Sequence, residues 1–134
     1  GRVTDYWTVL QRVLRGEVAQ MHMPGKHLRP GVWAGLNTAV DWDRVHIEGP
    51  VYIGAGSRIE AGVSIIGPTW IGHGCHIRKN AKITRSVLFE YTRLGEGMAL
   101  EDSILSPQYC VHRSGEAIFV GDDQLQLRWG DARL

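Results

Sequence analysis

Residues 47–83 read IEGPVYIGAGSRIEAGVSIIGPTWIGHGCHIRKNAKI, and an isoleucine returns every six positions, at Ile47, Ile53, Ile59, Ile65, Ile71, Ile77 and Ile83. An amphipathic helix repeats its apolar face every 3.6 residues and a half-buried strand every 2. A six-residue beat satisfies neither. It fits a polygonal coil in which each short strand offers one large apolar side chain to a central axis and then turns a corner. Four residues after each isoleucine comes a smaller residue: Val51, Ser57, Val63, Thr69, Cys75, Ala81 and Val87. These are expected to fill a second, tighter inward position.

A longer repeat gives the number of sides. IEGPVYIGAGSRIEAGVS (47–64) aligns with IIGPTWIGHGCHIRKNAK (65–82), Gly49 on Gly67, Pro50 on Pro68, Gly54 on Gly72 and Gly56 on Gly74. The offset is eighteen, so three hexads make one triangular coil. LRPGVWAGLNTAV (28–40) matches 47–59 at nineteen, and ITRSVL (83–88) matches LEDSIL (100–105) at seventeen. One coil therefore carries an extra residue and one lacks a residue. The fold class expected is an all-β solenoid, a parallel β-helix of hexapeptide repeats. Its copies must stack before any of them has a core.

The corners follow from backbone chemistry. Gly56, Gly62, Gly74 and Asn80 share the fourth place of their hexads, where a tight turn with φ > 0 is least strained for Gly and Asn. Pro50 and Pro68 take the same place on another edge, which calls for a different turn.

Outward from the repeat, the chain divides into three parts. Residues 1–27 form an N-terminal helix and linker, 28–108 the β-helix, and 109–134 a C-terminal cap. In TDYWTVLQRVLR (4–15), Tyr6, Val9, Leu10, Val13 and Leu14 recur at amphipathic-helix spacing. Thr4 suits an N-cap and Gly16 a stop. EVAQMHMPGK (17–26) has no period. Beyond the coils, AIFV (117–120) and QLQLRW (124–129) flank Gly121-Asp122-Asp123 as a candidate hairpin covering the last coil. Gly1 in place of a Met is expected of a tag remnant or of a piece of a longer chain.

The chain has 134 residues, with Lys+Arg 15 against Asp+Glu 14, the length of one domain without the charge excess of a nucleic-acid or membrane surface. No apolar run approaches the ~20 residues of a membrane span. Cys75 and Cys110 are too few for a disulfide scaffold, and a cytoplasmic protein is expected.

Stacked coils place equivalent residues in outward ladders about 4.8 Å apart. Trp33, Tyr52 and Trp70, ending over Val87, make an aromatic ladder that serves either as the seat of a terminal segment or as a subunit or domain interface. Arg58, His76 and Arg93 make a basic column, either an anion ladder or a solvated face. Arg85 is expected to meet Asp102, and His73 to meet Glu90, as weak surface pairs. His73 or His76 would be the general base if the coils were an acyl-CoA-dependent trimeric acyltransferase. A zinc site of the carbonic anhydrase kind would need three converging histidines, and the paired His-x4-His that such proteins carry is absent.

The order of DYW and VLRG in a helix, a linker, then coils with IEGPVYIG and SVLFEYTRLG resembles the C-terminal part of sugar-1-phosphate nucleotidylyltransferases, mannose-1-phosphate guanylyltransferase-like members most nearly. The resemblance runs from about Thr4 to Ser114. It implies that the β-helix is left-handed and that the helix leaves a catalytic domain preceding it. That domain would make an NDP-sugar and pyrophosphate from sugar 1-phosphate and NTP with Mg2+. The Gly-rich nucleotide-binding signature of that domain is missing from this sequence, so no catalytic, cofactor-binding or metal residue carries over. The expected role of the β-helix is homo-oligomerisation or regulation.

Overall fold

In a computed structural model of the chain, Thr8, Arg12, residues 26–114 and residues 117–119 are described. The helix expected over Thr4 to Arg15 lies outside them apart from Thr8 and Arg12, which have helical backbone and are exposed. Residues 120–134, with the second half of the expected hairpin, also lie outside.

Strand β1 (Lys26–Arg29) precedes four coils of three strands each. They are β2 (Val32–Ala34), β3 (Ala39–Val40) and β4 (His46–Glu48); β5 (Val51–Ile53), β6 (Arg58–Ile59) and β7 (Ser64–Ile66); β8 (Thr69–Ile71), β9 (His76–Ile77) and β10 (Lys82–Thr84); and β11 (Val87–Leu88), β12 (Arg93–Leu94) and β13 (Ala99–Glu101). Then come β14 (Ser103–Leu105), β15 (Tyr109–His112) and β16 (Ala117–Phe119). Three sheets form the walls of a triangle: β1-β2-β5-β8-β11-β14-β15-β16, β12-β9-β6-β3 and β13-β10-β7-β4. Pairing between coils is parallel throughout, whereas β1 on β2, β15 on β14 and β16 on β15 are antiparallel.

The six-residue beat fills the axis as expected. Ile53, Ile59, Ile65, Ile71, Ile77 and Ile83 are at most 2% exposed. Ile47 is only half-buried, and among the described residues no strand pairs with β4 on its other side. Of the smaller positions, Val51, Ser57, Val63, Thr69, Cys75 and Ala81 are all buried. Their polar members are satisfied locally. Ser57 Oγ donates to the Gly72 carbonyl (3.0 Å) and accepts from the Cys75 N–H (3.1 Å). Thr69 Oγ1 accepts from the Ser86 N–H (3.3 Å), and Ser86 Oγ from the Ser103 N–H (3.1 Å), so a hydroxyl ladder runs up one corner.

Corner chemistry explains both irregular offsets. One corner carries Asn37, Gly56, Gly74 and Tyr91 in successive coils, with φ of 59, 74, 68 and 59°. The next carries Gly62, Asn80 and Gly97, with φ of 79, 61 and 71°. The four positions expected to have φ > 0 all do. At the third corner the Gly49-Pro50 and Gly67-Pro68 bonds are cis, and one coil later the turn is made by a lone Arg85 (φ 45°), then by Asp102 (φ 50°). Ile66 pairs with Thr84 and Trp70 with Val87. The residue missing from the third repeat is therefore lost where Gly67-Pro68 gives way to Arg85. The extra residue of the first coil lies in Asp41–Val45, since Val40 pairs with Ile59 and His46 with Ser64.

The shortened corner corrects one inward assignment. Val87 stacks on Trp70, an outward position, and Ser86 takes the inward place above Thr69. Val87 is nonetheless 0% exposed and the equivalent Ile104 4%, so the outer face of the first wall is covered at these strands.

The Arg85–Asp102 contact is also stronger than a surface pair. Arg85 Nε and Nη2 donate to the two Asp102 carboxylate oxygens at 2.7 and 3.1 Å, and the Asp102 side chain is 10% exposed. The hydrogen bond from Arg85 holds the Asp102 carboxyl below its usual range, aided by the charges of Arg113 and His112 against the opposing effect of burial.

Candidate functional site

The outer column of the first wall runs Trp33, Tyr52, Trp70, Val87, Ile104 and Val111 in register. Tyr52 and Trp70 touch ring to ring, with centroids 4.3 Å apart and planes tilted by 34°. Together with Val87, Phe89 and residues of the adjacent corner they wall a concavity of about 590 Å³. Trp33 stands one strand further along and does not line it among the described residues. Two members of the aromatic ladder thus belong to a formed cavity.

The corner supplies the polar side. Gly72, at the end of β8, has no side chain, and a Cβ there would press on the backbone of Glu90 and Phe89. The coils can stack closely here only because the position is glycine. The following residue, His73, directs Nδ1 to Glu90 Oε1 at 3.4 Å. Tyr91 closes the rim. Its left-handed backbone (φ 59°) and its N–H bond to the His73 carbonyl (3.0 Å) turn its ring over the α-carbon of Gly74. It meets the His73 imidazole edge to face at 5.1 Å.

Sequence reasoning anticipated Tyr52, Trp70, His73 and Glu90 in this region, but not Phe89 or Tyr91. The signal for Tyr91 was its place in the column of Gly56 and Gly74. An aromatic at a left-handed position is unusual, and the single-residue corner before it had hidden the alignment.

Arg58, His76 and Arg93 stack in register on the second wall as expected. They do not form a purely basic column. Glu60 Oε2 reaches His76 Nε2 at 2.6 Å, and Glu60 Oε1 accepts from the Lys79 N–H at 3.2 Å and lies 3.7 Å from Arg78 Nε. Burial pushes the Glu60 carboxyl up, but the bonds from His76 and Lys79 and the charge of Arg78 outweigh it and hold it below the usual range. An anion at His76 would have to displace this carboxylate.

Cys75 lies at the axis, where burial pushes its thiol up to about 11, far from a nucleophile's range. Among the described residues no group of three or more His, Cys, Asp and Glu is placed to hold a metal ion.

Residues 50–85 match the family described as bacterial transferase hexapeptide (six repeats). The chain is 47% identical over 133 residues to a UTP–glucose-1-phosphate uridylyltransferase of Synechocystis sp., covering 99% of this chain and 34% of that protein. It is 36% identical over 72 residues to the bifunctional protein GlmU of Pelobacter propionicus, covering 54% of this chain and 16% of that one. The chain therefore spans about a third of the length of the first of these relatives. It is a hexapeptide-repeat β-solenoid similar to part of a sugar-1-phosphate nucleotidylyltransferase, as its motifs implied.

Proposed function

We propose that this chain is the non-catalytic β-helix of a sugar-1-phosphate nucleotidylyltransferase, and that it joins subunits and braces a nucleotidyltransferase domain preceding it. The observation that supports this is the coverage: nearly the whole chain aligns at 47% identity with only 34% of a uridylyltransferase. The name of that relative favours UTP and glucose 1-phosphate as substrates over the guanylyl and mannose pair suggested by the motifs. Mg2+ would belong to that catalytic domain. No helix among the described residues is long and apolar enough to cross a membrane, and a cytoplasmic homo-oligomer is the form proposed.

The full-length gene product is the material for the test. With Mg2+ it is expected to release pyrophosphate from UTP and glucose 1-phosphate faster than from GTP and mannose 1-phosphate. A variant lacking residues 28–134 is expected to fall to a smaller assembly by light scattering and to lose activity. Unchanged mass and turnover in that variant would overturn the role. The rival reading as an acyl-CoA-dependent acyltransferase predicts acyl transfer from acetyl-CoA that is lost in His73→Ala or His76→Ala.

A further inference from the structure

The concavity beside β8 has a composition that the assembly role does not explain, and its chemistry selects a ligand class. Four rings, those of Tyr52, Trp70, Phe89 and Tyr91, line a space of about 590 Å³, and the one carboxylate among the described lining residues is Glu90. No lysine or arginine is among those residues. A phosphate or sugar phosphate would meet the like charge of Glu90 and the negative faces of the rings. A cation meets the opposite situation. Aromatic faces carry negative potential and attract ammonium and guanidinium groups, most strongly when the site is partly desolvated. A carboxylate at the rim adds a charge-assisted hydrogen bond.

We infer that this concavity is a binding site for an organic cation, an alkylammonium, quaternary ammonium or guanidinium group carrying apolar carbons. Trp70 and Tyr52 form a tilted platform, 4.3 Å between centroids, against which the apolar part of the ligand lies. Tyr91 supplies the opposing ring, fixed edge to face on His73 at 5.1 Å. Glu90 supplies the countercharge. His73 Nδ1 sits 3.4 Å from one of its oxygens. Gly72 lets the two coils stack closely at this edge, and Val87 adds an apolar wall. The cation comes either from a small molecule or from a lysine or arginine of a second copy of this chain. Both sources present the same chemistry. The inference rests on the cavity alone and stands apart from the nucleotidyltransferase reading.

Calorimetric titration of the full-length protein tests it with four probes: choline, N-acetyl-arginine amide, 3,3-dimethyl-1-butanol (the neutral isostere of choline) and glucose. Choline or the arginine amide is expected to bind at least tenfold more tightly than the neutral isostere. Glu90→Gln, a half-exposed change that leaves the coils intact, is expected to weaken cation binding at least tenfold and leave the isostere unaffected. Trp70→Leu is expected to weaken both, with circular dichroism showing the fold retained, whereas Arg58→Ala on the second wall changes neither. If choline also lowers the mass of the assembly, the natural cation is a side chain of a second copy. If mass is unchanged, it is a small molecule. Equal binding of choline and its isostere, preference for glucose, an unaffected Glu90→Gln variant, or no binding by any probe would overturn the inference. None of these outcomes depends on whether the protein transfers nucleotides.

Discussion

At the scale of single residues, the Arg85 corner shows how one residue replaces two. A non-glycine residue in the left-handed region is disfavoured by about 1–2 kcal/mol, and here two such residues, Arg85 and Asp102, stack one above the other. Their bidentate bond, with Glu101 a further partner of Arg85 at 3.1 Å, offsets that strain. Because the folded-state pKa of Asp102 is depressed, the pair contributes fully above the ordinary value of 3.8, and its contribution is lost as pH falls through the folded value. Thermal midpoints measured between pH 7 and pH 2.5 should therefore fall more steeply in the wild type than in Asp102→Asn, which starts lower at pH 7. A parallel acid limb in the two proteins would contradict this. A second residue-scale expectation concerns Thr92, whose buried Oγ1 has no hydrogen-bond partner. Thr92→Val keeps the shape and removes the unpaired hydroxyl, so stability should rise by about 1 kcal/mol in urea unfolding. A loss of similar size would show that the hydroxyl is satisfied in solution.

Within the elements, two glycines two residues apart do different jobs. Gly56 has left-handed φ (74°) and open space around its missing Cβ. Gly54 has an ordinary φ, but a Cβ there would strike the backbone of Gly72 and His73 in the next coil. Gly56→Ala should cost about 1–2 kcal/mol from backbone strain alone. Gly54→Ala should cost considerably more, because neither backbone can yield without breaking the Gly54 N–H bond to the Ile71 carbonyl. Comparable denaturation midpoints for the two variants would refute the distinction. The isoleucine beat, the eighteen-residue repeat and the φ > 0 corners were all legible in the sequence, because each is a local demand repeated several times. The exchange of Gly67-Pro68 for Arg85 was not. An offset of seventeen says that a residue is missing without saying at which corner, and so Val87 was counted inward by the six-residue beat as well as outward at the end of the aromatic ladder, and Ser86 was overlooked. The candidate site was half legible for the same reason. Trp70 and Tyr52 stand in a ladder that an alignment shows, whereas Tyr91 joins them only through the geometry of a corner.

For the molecule as a whole, the ends differ from the middle. β15 lies antiparallel on β14, covering the strand edge that the last full wall would otherwise expose. A chain ending after Gln108 should leave the β14 edge open and self-associate, seen as light scattering that rises with concentration at 37 °C. A variant that stayed at the wild-type mass would show that this edge needs no cover.

Among the described residues, one wall of the triangle is closed by reversed strands at both of its ends, β1 on one and β15 with β16 on the other, while the other two walls end on parallel edges at β3 and β4 and at β12 and β13. A second copy approaching end to end could continue the parallel register on two sides but not on the third. Head-to-tail growth into a fibre, the standing hazard of a rod built from repeated turns, is thereby opposed on that wall by the direction in which β1 and β15 run.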